Sequence, residues 1–268
     1  METHLLFFTA AIAAGAINAL AGGGGLITFP LLALVMPPVS ADATSALALL
    51  PAYPAAVWRT RGQLSGLPRR WLWLLLVPSV VGGLVEGLLL VRTGDRNLVS
   101  MVPWLVLGGT VQFVLEPRLA RRRDGGAGHS GLAHSGFAPA FWPLAVATTL
   151  AVALYGGYFG AGIGILMISV LSLFGIGDAH RVVALKNLLT GCLRGVAVLV
   201  LVVEGAVNWG YGLPMAFGGL VGGYLGGMVS GKVNRAVLRG VVIVIGFGLA
   251  AYYFWTLYGA SELHIGGE

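Results

Sequence analysis

Gly15-Ala-Ile-Asn18-Ala-Leu-Ala-Gly22-Gly-Gly-Gly25-Leu-Ile-Thr28-Phe-Pro30 sets four consecutive glycines inside an apolar run. Glycine costs roughly 1 kcal/mol against alanine at an interior helical position, so four in a row predict a broken helix. Within a bilayer, broken backbone is tolerated only where protein or a water-filled cavity satisfies its polar groups. The helix resuming at Leu26 presents free N–H groups and the positive end of its dipole to that cavity. Such an end favours anions. A shift of 139 positions finds an echo in Gly156-Gly-Tyr158-Phe-Gly160-Ala-Gly162-Ile-Gly164-Ile-Leu-Met-Ile-Ser169, where Gly23 falls on Gly162 and Gly25 on Gly164. Two interrupted apolar segments at matching places in two halves point to the substrate site of a secondary transporter.

The composition sets the class. Hydrophobic residues make up 57% of the 268 and charged residues 10%, with a mean hydropathy of +0.88. A soluble domain carries about 25% charged residues. The chain reads as an all-α polytopic membrane protein. Its net charge of +6 lies in short loops between apolar spans, so the positive-inside rule explains it without a nucleic-acid partner. The single cysteine, Cys192, excludes an intrachain disulfide and reads as a packed residue. No basic segment precedes Leu5, so the N-terminus reads as a first membrane element and not as a cleaved signal peptide.

In chain order, 5–20 and 26–36 are the arms around the glycines. The second arm, about 11 residues, is too short for a bilayer core that needs roughly 20. The pair therefore reads as a hairpin that enters and leaves on one side. Ser40 or Asp42 is expected to cap the next helix, which runs to about Trp58. Spans at 71–91 and 98–115 follow, separated by a turn at 92–97. The polar segment at 118–138, with Arg121-Arg-Arg123, links an N-terminal repeat (1–117) to a C-terminal repeat (139–268). The second repeat holds arms at 141–155 and 163–175 and spans at 182–203, 211–230 and 237–258. The basic loops at 59–70 and 118–123 belong in the cytoplasm. Arg181, Lys186, Lys232, Arg235 and Arg239 give the second half the opposite sense. The expected fold is thus two inverted repeats, each a glycine-broken hairpin plus three transmembrane helices, with both termini outside.

The sharpest polar constellation lies after the second hairpin. Asn187, Thr190 and Arg194 are spaced i, i+3, i+7 and share one helix face. Arg194 lies about 12 Å deeper than Lys186 at 1.5 Å per residue. An arginine at that depth faces the protein interior and needs a partner. It either holds an anion or forms a structural ion pair with Glu86 or Glu204, the two residues that also offer proton coupling. Lys186 is close enough to the cytoplasmic end to snorkel. The expected substrate-binding set is Asn18, Gly22, Gly23, Gly24, Gly25, Thr28, Thr44, Ser45, Gly160, Gly162, Gly164, Asn187, Thr190 and Arg194. For Asn18, Thr28, Thr44 and Ser45, capping or satisfying a freed carbonyl is an equal alternative. Gly218, Gly222 and Gly226, with Gly219, Gly223 and Gly227, form two small-residue ladders for close helix packing, as do Gly82, Gly83 and Gly87. Gly175-Ile-Gly177-Asp178 matches the GxGD of intramembrane aspartyl proteases, but no second aspartate lies within a span to complete a carboxyl dyad. The five histidines are scattered and make no metal set, and no Walker motif is present, so no cofactor is expected.

Several of these features together resemble the TauE/SafE family of membrane permeases. They are Gly15…Gly22-Gly-Gly-Gly25-Leu-Ile-Thr-Phe-Pro30, Ala43-Thr44-Ser45 opening the next helix, Trp58-Arg-Thr-Arg-Gly62 ending it, and a degenerate second copy. The second copy departs from the pattern: Ser169 replaces the proline and Val182-Val-Ala184 stands in place of Ala-Thr-Ser. The resemblance implies a secondary transporter, not an enzyme, that exports a small sulfur-containing (sulfite or sulfonate type) or carboxylate anion from a bacterial inner membrane. The alternatives are an anion channel and a membrane scaffold that transports nothing. A homodimer is left open.

Overall fold

The computed structural model of the chain describes residues 2–20, 22–65, 67, 69–124, 142–159, 163–173, 179–229 and 235–259. Most of the 118–138 linker, Gly160, Gly162, Lys232, the 175–178 motif, and His129, His134 and His264 lie outside the described residues. The regular structure among the described residues is all helix: α1 (Glu2–Leu20), α2 (Gly25–Ala33), α3 (Pro38–Leu49), α4 (Ala52–Leu64), α5 (Arg69–Asp124), α6 (Trp142–Phe159), α7 (Ile163–Leu173), α8 (Ala179–Val203), α9 (Trp209–Val229) and α10 (Arg235–Phe254), which ends in a π-helical turn, Trp255–Gly259. Among the described residues Arg69–Val111, His180–Val203 and Gly240–Tyr258 are long and apolar enough to cross a membrane. Large apolar side chains such as Trp73, Val77, Leu213, Phe217 and Val244 face outward, as a lipid solvent permits. The chain is an integral membrane protein.

Three local expectations need correction. The helix expected to run to Trp58 is divided at Leu50-Pro51 into α3 and α4. Pro51 has no N–H to give and its ring crowds the preceding turn, so the Leu50 N–H reaches back to the Leu47 carbonyl instead. The 92–97 turn is helical throughout except at Gly94, whose φ of 70° and ψ of 161° divide α5 into two arms. Neither Ser40 nor Asp42 caps α3. The helix starts at Pro38 after Pro37, and Asp95 beside the α5 break accepts from the Val39 N–H at 2.9 Å.

The glycine ladders do separate work on two neighbours. Gly218, Gly222 and Gly226 lie on Phe8, Ile12 and Ala16 of α1, while Gly219, Gly223 and Gly227 lie on Ala48, Ala52 and Ala56 of α3 and α4. A Cβ at most of these positions would meet backbone, which is the reason for glycine there. Both sets advance in step, so α9 runs parallel to α1 and to the α3–α4 pair. Gly83 against Leu193 and Gly87 against Ala197 make the first arm of α5 parallel to α8. Gly191 against Tyr53 and Gly195 against Leu50 make α4 and α8 antiparallel. Thr110 against Gly246 and Trp104 against Phe254 set α10 against the second arm of α5. In α2 the Leu34 N–H turns to the Leu31 carbonyl, which leaves the Pro30 carbonyl to accept from Tyr253 Oη of α10 at 2.6 Å.

Candidate functional site

The site begins where α1 stops. Gly22 and Gly23 take φ values of 75° and 116°, conformations that only glycine adopts without strain. The Gly22 N–H turns back to the carbonyls of Ile17 at 3.2 Å and Asn18 at 3.1 Å. Two side chains of α8 complete this end: Lys186 Nζ donates to the Asn18 carbonyl at 2.9 Å, and Asn187 Nδ2 donates to the Ala19 carbonyl at 3.3 Å. A cation at a helix C-terminus meets the negative end of the dipole. Lys186 is 0% exposed, so it does not snorkel. The open carbonyls of α1 are its partners in an interior that water does not reach.

The first turn of α7 adjoins the first glycine break. A Cβ on Gly164 would lie 2.9 Å from Gly22 Cα and 3.3 Å from Lys186 Cδ. Gly24 packs on α1, where a side chain would strike the Ala14 carbonyl. Its glycine is therefore a packing requirement, and a leucine there would disturb the hairpin itself. α2 resumes at Gly25, where the Leu26 N–H turns to the Gly23 carbonyl at 2.9 Å and those of Ile27 and Thr28 to the Gly24 carbonyl at 3.0 and 3.2 Å. The break itself takes up these donors, and the anion-favouring end expected from the sequence is left with the Gly25 N–H and the dipole.

Asn18, Gly25, Asp42, Ser45, Tyr53 and Arg194 line a small cavity of about 10 Å³, the room of one water molecule. Arg194 Nη1 lies 2.6 Å from Glu86 Oε1, a charge contact outside hydrogen-bond geometry. Glu86 is 2% exposed and its Oε2 has no partner among the described residues. Glu204, the other expected partner, is exposed in the turn after α8, too far along the helix to serve. Asn18 Nδ2, Thr190 Oγ1 and Asn187 Oδ1 are likewise buried without hydrogen-bond partners among the described residues. Thr28 and Ser45 satisfy each other at 2.6 Å. Thr44 is diverted from the cavity, its Oγ1 accepting from the Asn208 N–H at 3.0 Å. Asn208 Oδ1 in turn accepts from the Gly210 and Tyr211 N–H groups and starts α9. A wider apolar cleft of about 520 Å³ separates α4 from α8, with Pro54, Val57, Leu188 and Cys192 on its walls. Tyr53 lines both spaces.

The structure thus brings Asn18, Gly25, Ser45 and Arg194 to one cavity and Gly164, Lys186 and Asn187 to the end of α1 at Asn18–Gly22. It adds residues that the sequence reading had assigned elsewhere or passed over. Lys186 shares a stripe with Thr190 and Arg194 at i, i+4, i+8, and that spacing was available as a signal. Asp42 and Tyr53 had none: each joins the cavity only through the angles at which α3 and α4 pack.

Residues 7–253 match the family model described as sulfite exporter TauE/SafE. A probable membrane transporter protein of Haemophilus influenzae is 28% identical over 250 residues, covering 92% of each chain. The probable membrane transporter protein YfcA of Escherichia coli K12 is 27% identical over 263 residues, 97% of this chain and 92% of that one. A Sinorhizobium protein named probable membrane transporter protein ORF9 is 27% identical over 253 residues, 92% of this chain and 91% of its own. No solved structure matches significantly. With the match running through both glycine breaks, the polar stripe of α8 and the ladders of α9, the chain belongs to the sulfite exporter TauE/SafE family.

Proposed function

We propose that the protein is a secondary transporter that exports a small sulfite-type, sulfonate or carboxylate anion across a bacterial inner membrane, binding it between the two glycine breaks. The observation that carries this reading is Arg194, a buried guanidinium on the wall of the same cavity that receives the α2 N-terminus. The unpartnered Asn18 Nδ2 on that wall is a further donor. A fork of N–H donors suits a planar carboxylate or a sulfonate face. The relatives' transporter names agree with the reading. A cavity closed down to one water favours an alternating site over a continuous pore.

The packing directions support an inverted pair of halves. α3–α4 and α8 each follow a hairpin and run antiparallel, as the basic loops demand if both termini lie outside. Cysteine placed at position 128 in a Cys192→Ser background should react with impermeant reagent only from the cytoplasmic side. Labelling there from outside alone overturns the topology.

The substrate test is thermal unfolding of purified protein with sulfite, sulfonates and carboxylates. A ligand present at 100 times its Kd stabilises the native state by about 2.7 kcal/mol. A saturable rise in Tm with one of these anions, absent with a cation of the same salt series, is the expected result. No shift with any of them removes the anion reading.

A further inference from the structure

Asp42 is 8% exposed on the cavity wall, and among the described residues its carboxylate makes neither a hydrogen bond nor an ion pair. Arg194 is in charge contact with Glu86 at 2.6 Å and acts on Asp42 only through space across the cavity, without an ion pair. The groups that face Asp42 come from four elements. They are Asn18 of α1, Gly25 of α2, Tyr53 of α4 and Arg194 of α8, with Glu86 of α5 behind Arg194. Tyr53, Arg194 and Glu86 are the titratable ones. α9 packs on the opposite side of α3 through Thr44 and Ala48.

The buried charges around the breaks are Asp42 and Glu86 against Lys186 and Arg194, which sum to zero when all are ionised. A monovalent anion entering this set leaves one uncompensated negative charge in a site that excludes water, and isolated buried charge is heavily penalised. A companion cation restores the balance. Space and neighbours decide which cation. A metal ion would need a shell of oxygens, yet the cavity holds one water, Ser45 is engaged with Thr28, and a guanidinium stands on the wall. A proton needs no shell and binds to an oxygen already present.

We infer that Asp42 is the seat of a proton that crosses the membrane together with the anion, one for one and without net charge. This rests on the anion reading above and adds what travels with the anion. In the loaded state the anion lies against Arg194 and the α2 N-terminus, and Asp42 carries a proton taken from the side at which the anion entered. Release of the anion to the other side leaves the carboxylate facing Arg194 again, and the proton departs with the substrate, so export runs on the anion's own outward concentration gradient and stops when the inward proton gradient balances it.

The test uses the full chain in sealed proteoliposomes with sulfite and 2-hydroxyethanesulfonate as probes, a pH dye inside, and valinomycin to set the potential. Wild type should accumulate the transported anion about tenfold per unit of pH gradient, acidify the receiving lumen in step, and ignore an imposed potential. In Asp42→Asn the exchange that remains, whatever its rate, should lose its dependence on pH. Asp42→Glu should recover that dependence. Wild-type flux driven by potential without proton movement, or by a sodium gradient at constant pH, overturns the inference while leaving anion transport intact. An unchanged pH response in folded Asp42→Asn overturns it as well. If wild type exchanges neither anion, the anion reading fails and the inference falls with it. The wild-type measurements decide even if Asp42→Asn fails to fold.

Discussion

Helices α8 and α9 are consecutive and similar in length, 25 and 21 residues, yet they solve burial in opposite ways. α9 meets α1, α3 and α4 chiefly through glycines and apolar residues, with the aliphatic stem of Arg59 against Gly227. It removes side chains along two ladders and lets backbone meet backbone. α8 keeps Lys186, Asn187, Thr190 and Arg194 buried, and three of these carry a polar atom that is unpartnered or poorly aligned. With lipid as the solvent, close approach of backbones supplies association without any special chemistry. Polar groups that remain at depth despite their cost then mark function or the devices that hold a functional break together. Glycine is thus frame in α9 and at Gly24, and opening at Gly22 and Gly23, and neighbouring atoms and backbone angles tell the two uses apart.

The largest expected effect tests whether the Arg194–Glu86 contact is frame or site. Arg194→Gln strands a buried carboxylate and should destabilise the protein by about 3–5 kcal/mol. Glu86→Gln added to it should restore most of that loss in Tm. If the rescued double variant keeps full stabilisation by anion, α8 is structural like α9 and the contrast breaks down.

A side chain on the α9 ladder comes next. Gly222→Val drives a branched side chain toward the Ile12 carbonyl and should destabilise by about 1–3 kcal/mol, as overpacking does. The fraction that folds should bind anion with unchanged affinity. A stable variant with weakened binding would move α9 into the site.

Arg194→Lys keeps the charge and loses the planar fork. Anion affinity should fall by at least the tenfold that about 1.4 kcal/mol represents, with Tm in the absence of anion shifting little. Equal affinity in a titration would assign the arginine to Glu86 alone. The smallest effect belongs to Thr28→Val, which removes the 2.6 Å contact with Ser45. A loss of about 0.5–1.5 kcal/mol is expected from one hydrogen bond, read as a Tm shift with affinity unchanged.

The features that could be read from the chain are those that depend on local backbone chemistry or on position along one helix. Four glycines announced the α1–α2 break because propensity acts locally. The i, i+4 repeats on α9 announced its ladders, and depth along α8 singled out Arg194. What escaped depends on relations between elements. Lys186 looked near enough to the surface to snorkel until α1 ended against it. Asp42 looked like a cap because it follows Pro37-Pro38, but Asp95, more than fifty residues away, supplies that acceptor instead. Glu204 and Glu86 were equivalent by composition. Only the packing of Gly83 and Gly87 on α8 sets Glu86 beside Arg194. The division at Leu50-Pro51 was legible from the proline and was passed over.

The bond from Tyr253 to the Pro30 carbonyl bears on the order in which the protein is made. α2 leaves the ribosome long before α10, since Tyr253 lies 223 residues after Pro30. Until α10 arrives, that carbonyl has no partner in a medium without water, and the end of α1 likewise waits for Lys186 and Asn187. The first hairpin is therefore finished by the second half of the chain. A ribosome stalled before α10 would leave a nascent chain with open backbone groups, the sort of defect by which membrane quality control recognises an incomplete product.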